Sequence, residues 1–236
     1  MPRVTAPGSK LLAYTRLARL PNLFTAIADP LAGWFAVGGG SPATQLVAIL
    51  GASTAFYTAG IVLNDCFDYE LDRQERPNRP LPCGAISLRT ARGLGIALML
   101  AGFVCAAVAG QFALGIGAFL ATMILLYNAW FKRYRLLGPL TLGACRFANF
   151  LLGMRYVPLR LWWMPATLAL YVIVLSLLAR AEAGNTARQL LIKRLLLGII
   201  AVDAILVATT GDWIGAALVL SLLVPAMALA RFLAMT

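Results

Sequence analysis

Long apolar runs alternate with short polar segments over nearly the whole chain. Eight apolar windows lie near residues 17–37, 43–63, 92–109, 112–128, 137–154, 162–181, 195–210 and 213–233. Stretches of about 17–25 apolar residues are long enough to cross a bilayer as helices. The pattern therefore predicts an all-α polytopic transmembrane bundle of about eight helices, with tight turns at residues 110–111 and 210–212.

The composition supports a membrane protein and excludes several kinds of site. Of 236 residues, 61% are hydrophobic and 12% are charged, against about 45–50% and 25% in soluble domains. The chain has no histidine and four separated cysteines, so zinc sites and histidine-dependent catalytic triads are disfavoured. No repeat or long linker divides the sequence, which predicts a single domain over residues 1–236.

The distribution of basic residues predicts an orientation. The formal net charge of +11 could indicate a nucleic-acid partner. With the N-terminus inside, however, all lysines and arginines except Arg146, Arg155 and Arg160 fall in or beside cytoplasmic segments, as the positive-inside rule requires. We therefore expect an integral protein of the inner (cytoplasmic) membrane, with both termini cytoplasmic, no cleaved signal peptide and no nucleic-acid partner. The basic edge suits an anionic substrate with a lipid tail.

An acidic segment directly follows the second apolar window. Five of the nine acidic residues lie between Asp65 and Glu75. On a helix, Asn64, Asp65, Asp68 and Asp72 fall within an arc of about 100°, and we call these four residues the acidic motif. Carboxylates this close repel one another unless a cation or arginines offset their charge. The motif predicts a cation-binding site, with a solvated charged loop as the alternative.

Residues 76–87, here called the proline loop, follow the acidic motif. The loop carries Arg76, Arg79 and three prolines, which predict a stiff, extended segment. Mg²⁺ usually combines one or two carboxylates with water and phosphate oxygens, and the guanidinium group matches phosphate geometry. Together, the acidic motif and the proline loop predict a Mg²⁺-dependent diphosphate site at the membrane surface.

The acidic motif and the proline loop resemble the first aspartate-rich motif of the UbiA superfamily of intramembrane prenyltransferases. The likeness rests on the acidic motif followed by Arg-Pro at 76–77, Arg-Pro-Leu-Pro at 79–82 and Gly-Ala-Ile-Ser at 84–87. It extends to residues 19–22 before the first long helix and to Tyr127 and Lys132 after the fourth. The resemblance implies a helical bundle that joins an isoprenoid diphosphate to an aromatic or other small-molecule acceptor in the lipid bilayer, with Mg²⁺ as cofactor.

The candidate residues follow from this resemblance and from the residue chemistry. We expect catalytic roles for Asp65, Asp68, Asp72 and Lys132, metal ligands in Asn64, Asp65, Asp68, Asp72 and Glu182, and diphosphate or substrate contacts from Asn22, Asn64, Arg79, Tyr127, Arg146 and Asn149. Arg79 and Lys132 would offset charge on the leaving diphosphate. Phe67, Tyr127 and Trp130 are candidates to stabilise the allylic cation. For Tyr127 and Lys132, an interfacial anchor and a positive-inside marker are the alternatives.

The sequence departs from the family at its second acidic motif. Glu182 is the sole acid between residues 178 and 193, where paired aspartates are expected, and about eight helices replace the usual nine. Residues 138–139, 143–149 and 180–182 look most like the UbiA-like EboC proteins. A non-catalytic protein that binds or carries an isoprenoid or other amphiphile therefore remains the alternative. A CDP-alcohol phosphotransferase is disfavoured, since Tyr69 rather than glycine follows Asp68.

Three ionisable residues fall inside apolar windows. Asp29, Arg146 and Asp203 would each cost at least ~2.5–3.5 kcal/mol in hydrocarbon unless they pair or face a cavity. We expect Arg146 to pair with Asp29 or Asp203, or to line the acceptor pocket. Asn149 shares the helix face of Arg146 and could join helices or contact the acceptor.

Overall fold

The computed structural model describes residues 10–40, 42–181 and 186–235, and these residues form helices and their connections. The helices are α1 Lys10–Leu17, α2 Leu20–Ala36, α3 Ala43–Phe67, α4 Tyr69–Glu75, α5 Leu88–Ala109, α6 Gln111–Ala129, α7 Leu137–Met154, α8 Trp163–Ala181, α9 Thr186–Ala208, α10 Trp213–Ser221 and α11 Leu223–Met235. Single 3₁₀ turns at Phe131–Arg133 and Leu159–Leu161 precede α7 and α8. The predicted all-α class is confirmed.

Each apolar window corresponds to a helix or, for the last window, to the pair α10–α11. Five segments among the described residues are long and apolar enough to cross a membrane: Ala43–Phe67, Leu88–Ala109, Gln111–Ala129, Leu159–Arg180 and Trp213–Arg231. Helices α2, α7 and α9 are not among these five. The count of eight crossings therefore stays a prediction.

Glycines set the packing of α2 against α7. A Cβ atom on Gly153 would overlap the backbone carbonyl of Pro30, and one on Gly33 would overlap the carbonyl of Phe150. Small residues allow helix backbones in membranes to approach this closely. The close packing fixes α7 beside α2 and brings Arg146 next to Asp29.

Two hydrophobic cores meet at α2 and α7, which contribute residues to both. One core joins α2, α7, α8 and α9 through side chains such as Phe150, Leu168 and Ile199. The other joins α3, α5 and α6 to α7, with Phe56 and Leu120 at its centre. A cavity is bounded by residues of both groups.

Glycine turns connect the helices where the sequence predicts them. Gly110 has φ 122° between α5 and α6, and Gly211 has φ 88° between α9 and α10. Glycine reaches these positive φ values without a Cβ clash. Both predicted tight turns are confirmed.

The expectation of an extended proline loop is wrong. The Cys83 amide donates to the Arg79 carbonyl at 3.0 Å, and the Ile86 amide donates to the Pro80 carbonyl at 3.2 Å. Proline removes a donor but leaves its carbonyl as an acceptor, so the loop folds into successive turns. Leu81 and Ile86 become buried in a small core with Leu17 of α1.

Candidate functional site

The acidic motif lies where α3 passes into α4. Asp68 is the junction residue, and backbone hydrogen bonds continue through it: its amide donates to the Asn64 carbonyl at 3.0 Å, and the Asp72 amide donates to the Asp68 carbonyl at 2.8 Å. The three aspartates therefore keep nearly helical spacing. Asp65 and Asp72 are buried, whereas Glu70 and Glu75 are exposed.

Each aspartate of the acidic motif meets a basic side chain from another part of the chain. Arg19 contacts Asp65 at 2.9 Å, and Lys132 Nζ contacts Asp68 at 2.6 Å. Arg79 of the proline loop lies 2.6 Å from Asp72 and 3.6 Å from Asp65. These pairs offset the repulsion between neighbouring carboxylates, as expected for arginines near the acidic motif.

Helix α8 holds the turn that carries Lys132. The Arg180 guanidinium donates to the Lys132 carbonyl at 3.1 Å and to the Tyr134 carbonyl at 2.9 Å. Gly138 leaves room for this contact, because a Cβ atom there would collide with Arg180 Nη2. Arg180 thus connects the end of α8 to the lysine that pairs with Asp68.

An amide pair joins α3 to α6 beside the acidic motif. Asn64 Nδ2 donates to Asn128 Oδ1 at 2.8 Å, and Asn128 Nδ2 donates to the Gly60 carbonyl at 3.3 Å. Sequence reasoning missed Asn128, Arg180 and the role of Arg19. Arg19 stood in a segment of family likeness, but its contact with Asp65 depends on the tertiary structure.

A cavity of about 340 Å³ extends from the acidic motif into the bundle. Its lining residues are Arg19, Asn22, Ser53, Phe56, Tyr57, Gly60, Ile61, Asn64, Leu120, Ile124, Tyr127, Asn128, Leu142, Cys145, Arg146, Asn149, Val172, Leu196 and Ile199. Arg19, Asn22, Asn64, Tyr127 and Asn128 form its motif end. The walls are mostly apolar, and no acidic residue is among these lining residues. A cationic and amide-rich end on an apolar cavity fits an amphiphile with an anionic head.

A buried polar cluster forms the deep end of the cavity. Arg146 Nη1 donates to both carboxylate oxygens of Asp29, at 3.1 and 3.0 Å, and Arg146 Nη2 donates to Thr25 Oγ1 at 2.9 Å. Asn149 Nδ2 donates to Asp29 Oδ2 and to the Ala26 carbonyl, both at 2.8 Å. The predicted Asp29–Arg146 pair is confirmed, and Arg146 and Asn149 also line the cavity.

The predicted site residues separate into two groups, with one residue outside the described part of the chain. Asn22, Asn64, Asp65, Asp68, Asp72, Arg79, Tyr127 and Lys132 lie at or beside the motif end, and Arg146 and Asn149 lie at the deep end. Glu182 lies outside the described residues. Within the described residues, no three acidic or cysteine side chains converge as a metal cluster.

Two aromatic residues are not where the sequence suggested. Phe67 and Trp130 are 53% and 58% exposed and do not line the cavity, whereas Phe56, Tyr57 and Tyr127 do. The apolar window alone does not reveal which face of α3 turns inward, because both faces of that helix are apolar.

Comparison with known proteins identifies the family. The model of the UbiA prenyltransferase family matches residues 22–236. The chain belongs to the UbiA prenyltransferase family. Together with the long apolar helices, membership of the UbiA family makes it an integral membrane protein.

Curated relatives of this UbiA-family chain include proteins named digeranylgeranylglyceryl phosphate synthase. This chain is 34% identical over 143 residues to the protein of Methanoculleus marisnigri. The match covers 60% of this chain and 50% of the relative. The chain is 29% identical over 146 residues to the protein of Ignicoccus hospitalis, covering 62% and 48%. The chain spans about half the length of the curated relatives it matches.

Solved structures share the UbiA fold over nearly the whole chain. One, from work on digeranylgeranylglyceryl phosphate synthase in membranes, has a TM-score of 0.65 at 18% identity and covers 96% of this chain and 97% of its own. Another is a UbiA homologue from Archaeoglobus fulgidus bound to GPP and Mg²⁺, with a TM-score of 0.63 at 18% identity, covering 93% and 86%. These likenesses establish the fold; the EboC-like placement stays a prediction.

Proposed function

We propose that this UbiA-family chain is a Mg²⁺-dependent prenyltransferase that moves an isoprenoid group from its diphosphate to a small-molecule acceptor in the membrane. The observation that carries the proposal is that the apolar cavity reaches the acidic motif. Arg19 lines the motif end of the cavity and pairs with Asp65. The cavity suits the isoprenoid tail, and the motif end suits the diphosphate.

The basic residues at the motif end would assist departure of the diphosphate. Arg19, Arg79 and Lys132 are held by Asp65, Asp72 and Asp68 at 2.6–2.9 Å, so their charges are positioned before a ligand arrives. Preorganised cations stabilise charge as it develops on a leaving group. Tyr57 and Tyr127 line the cavity. The Tyr57 ring already lies 5.7 Å from the Arg146 guanidinium, whereas Tyr127 at the motif end would stabilise an allylic cation through its π face.

The donor set at the motif end is compatible with Mg²⁺. Mg²⁺ prefers oxygen ligands and commonly needs only one or two carboxylates when substrate phosphates supply the rest. Asp65, Asp68 and Asp72 are the candidate carboxylate ligands of the ion, with the side-chain oxygen of Asn64 and Glu182 as further candidates. The three carboxylates do not converge as one cluster in the described residues, and one or two of them would be enough if the diphosphate supplies the other oxygen ligands. When bound, the ion would neutralise charge on the diphosphate oxygens.

We extend the proposal to the location of the acceptor and to the orientation of the chain in the membrane. The curated relatives are named as digeranylgeranylglyceryl phosphate synthases, which supports a prenyl acceptor that resides in the membrane. The placement of basic residues supports a motif end at the cytoplasmic face of the inner membrane, with both termini cytoplasmic. The absence of a repeat or long linker from the sequence supports one domain over residues 1–236.

A carrier that binds an isoprenoid or related amphiphile without turnover is the second candidate. It is favoured by the sequence of residues 178–193, in which Glu182 is the sole acid, where the family resemblance leads us to expect paired aspartates. A carrier would need the cavity and the motif end but not the charge stabilisation that drives ionisation.

Turnover separates the two candidates. Detergent-purified protein is incubated with labelled allylic diphosphates of several chain lengths and a lipid extract of native membranes, with and without Mg²⁺. A labelled lipid product and released diphosphate that both require Mg²⁺ support the transferase. Saturable binding with no release of diphosphate under any condition would instead support the carrier.

A further inference from the structure

Among the described residues, Asp203 on α9 is the buried carboxyl group near the deep end that the Asp29–Arg146 pair does not explain. Its side chain is fully buried, and neither carboxylate oxygen receives a hydrogen bond from a donor in the described residues. Helix α9 packs against α2, and Ala28 and Ala204, the chain neighbours of Asp29 and Asp203, belong to the same core, so the two buried carboxyl groups lie in one region of the bundle. An isolated buried charge would be costly.

The balance of charge at the deep end indicates how the buried Asp203 is accommodated. The charged groups in this region are Asp29, Arg146 and Asp203, and the neutral groups around them are Thr25, Asn149 and the Tyr57 ring. Arg146 is the one cation among them, and it is already engaged by Asp29. Two adjacent buried carboxyl groups do not both ionise readily, so one proton balances the cluster and supplies the missing donor.

We propose that Asp203 and Asp29 share one proton, and that the resulting neutral Asp203–Asp29–Arg146 cluster selects an uncharged, oxygen-bearing head group at the deep end of the cavity. Calling that ligand the acceptor rests on the proposed function. The proton makes Asp203 a positioning residue, since it acts on the cavity through Asp29 and Arg146.

Arg146 provides the contact to the head group. Its two terminal nitrogens bind Asp29 and Thr25, while its Nε–H donates to no described residue. Arg146 and Asn149 both line the cavity. A ketone, ether or hydroxyl oxygen can accept from Nε–H without changing the balance of charge. A carboxylate or phosphate would add an uncompensated negative charge in a low-dielectric region, which is costly.

The deep end lies well below the diphosphate-binding residues. Asn22 at the motif end and Asp29 at the deep end are on the same helix, seven positions apart, which corresponds to about 10 Å of helix rise. One ligand group therefore meets Arg19 while another meets Arg146. The motif end therefore favours an anionic head group, and the deep end favours a neutral one.

Infrared spectroscopy tests the shared proton. A protonated carboxyl group has a C=O stretching band that a carboxylate lacks, and the parent protein should show it at neutral pH. Asp203→Asn should lose the band because its amide replaces the acid. Asp29→Asn should also lose it, because Asp203 then ionises as the counterion of Arg146. Asp212→Asn is the matched control, since Asp212 caps α10 through the Gly215 amide, and it should leave the band unchanged. A parent spectrum without the band overturns the proposal, as does a band that survives in Asp203→Asn.

Binding of two matched probes tests the selectivity. Detergent-purified protein is titrated with a long isoprenoid alcohol and with the carboxylic acid of the same chain. The ratio of the alcohol and acid affinities should be the same in the parent and in Asp203→Asn, because both retain a neutral cluster and the motif end is unchanged. The double variant Asp29→Asn/Asp203→Asn leaves Arg146 uncompensated and should shift the relative preference toward the acid by about tenfold or more, roughly 1.4 kcal/mol. If the double variant does not fold, Asp203→Asn still decides, because a shift of its ratio toward the acid would show that Asp203 is charged in the parent.

Each binding outcome has a definite meaning. An affinity ratio that changes between the parent and Asp203→Asn, a double variant with the parent's ratio, or binding of neither probe overturns the head-group assignment. These titrations use neither Mg²⁺ nor diphosphate and require no turnover. A failure of the proposed prenyl transfer would therefore leave both results standing, and a failure here would leave prenyl transfer untouched.

Discussion

At the scale of single residues, the acidic motif was predictable and its partners were not. Asp65, Asp68 and Asp72 follow an apolar window at helical spacing, and both properties are local. The contacts of Asp65 with Arg19 and of Asp68 with Lys132 join positions 46 and 64 residues apart, which no local pattern encodes. Arg180 stood in a segment of family likeness, but it acts through the backbone carbonyls of residues 132 and 134, which no local pattern encodes.

Glu182 provides a test of how many acidic residues the site needs. If Glu182 is the surviving ligand of the second acidic motif, Glu182→Gln removes the charge facing the cation while keeping the side-chain shape. The loss should be at least about 1–2 kcal/mol by analogy with hydrogen bonds to charged groups, or a five- to thirtyfold fall in kcat or rise in the Mg²⁺ requirement. A Mg²⁺ titration of turnover measures it. Parent-like dependence on Mg²⁺ would mean that the first motif alone builds the metal site.

Gly138→Ala tests whether Arg180 positions Lys132. The added Cβ would displace the Arg180 guanidinium and release the turn that carries Lys132. We expect affinity for an allylic diphosphate to fall by about five- to thirtyfold, the effect of weakening one hydrogen bond to a charged group. Gly115→Ala is the matched control, because a Cβ there meets nothing within 4 Å. Equal affinities in the two variants would show that Arg180 does not position Lys132.

At the scale of helices, hydropathy located the elements but misplaced some boundaries. Helix α3 continues past Leu63 to Phe67, and α9 begins at Thr186 rather than near residue 195. Both differences arise where a helix carries charged residues beyond its apolar portion. The last window contains two helices, because the helix is interrupted at Leu222 between α10 and α11. Helix packing through Gly33 and Gly153 also required the tertiary structure.

Gly153→Ala tests the packing of α2 on α7. Its Cβ would overlap the Pro30 carbonyl, and backbone atoms cannot move aside as a flexible side chain can. We expect destabilisation of about 1–3 kcal/mol or more, measured by thermal unfolding in detergent. Gly93→Ala should instead be neutral or stabilising by up to ~1 kcal/mol, because a Cβ there meets nothing within 4 Å. An unchanged melting temperature in Gly153→Ala would contradict the observed close approach.

At the scale of the whole molecule, the two cores and the cavity between them follow from how the helices assemble. Sequence predicted an apolar bundle and a polar site at one of its surfaces. It did not predict that the cavity has two polar ends, because Asn22 and Asp29 on α2 face groups from α3, α7 and α9. The UbiA family match agrees with the fold that the motif resemblance implied.

The orientation in the membrane can be tested with two exposed tyrosines. Tyr134 follows α6 and Tyr156 follows α7, and they are 57% and 54% exposed. With both termini cytoplasmic, a membrane-impermeant thiol reagent should label Tyr156→Cys and not Tyr134→Cys in right-side-out vesicles. The parent protein with its four native cysteines is the background control. The reverse labelling pattern would invert the proposed topology.

Mg²⁺-dependent binding of an isoprenoid diphosphate to the acidic motif is the most direct test of the central claim. Calorimetric titration of an allylic diphosphate compares the parent with Asp68→Ala and Glu70→Ala, each with and without Mg²⁺. Asp68 pairs with Lys132 beside the cavity, whereas Glu70 is exposed and pairs with the exposed Arg73. We predict Mg²⁺-dependent binding by the parent and by Glu70→Ala, with loss of binding in Asp68→Ala although the protein still inserts into the membrane. Superimposable isotherms of the parent and Asp68→Ala in Mg²⁺ would contradict the assignment of the site.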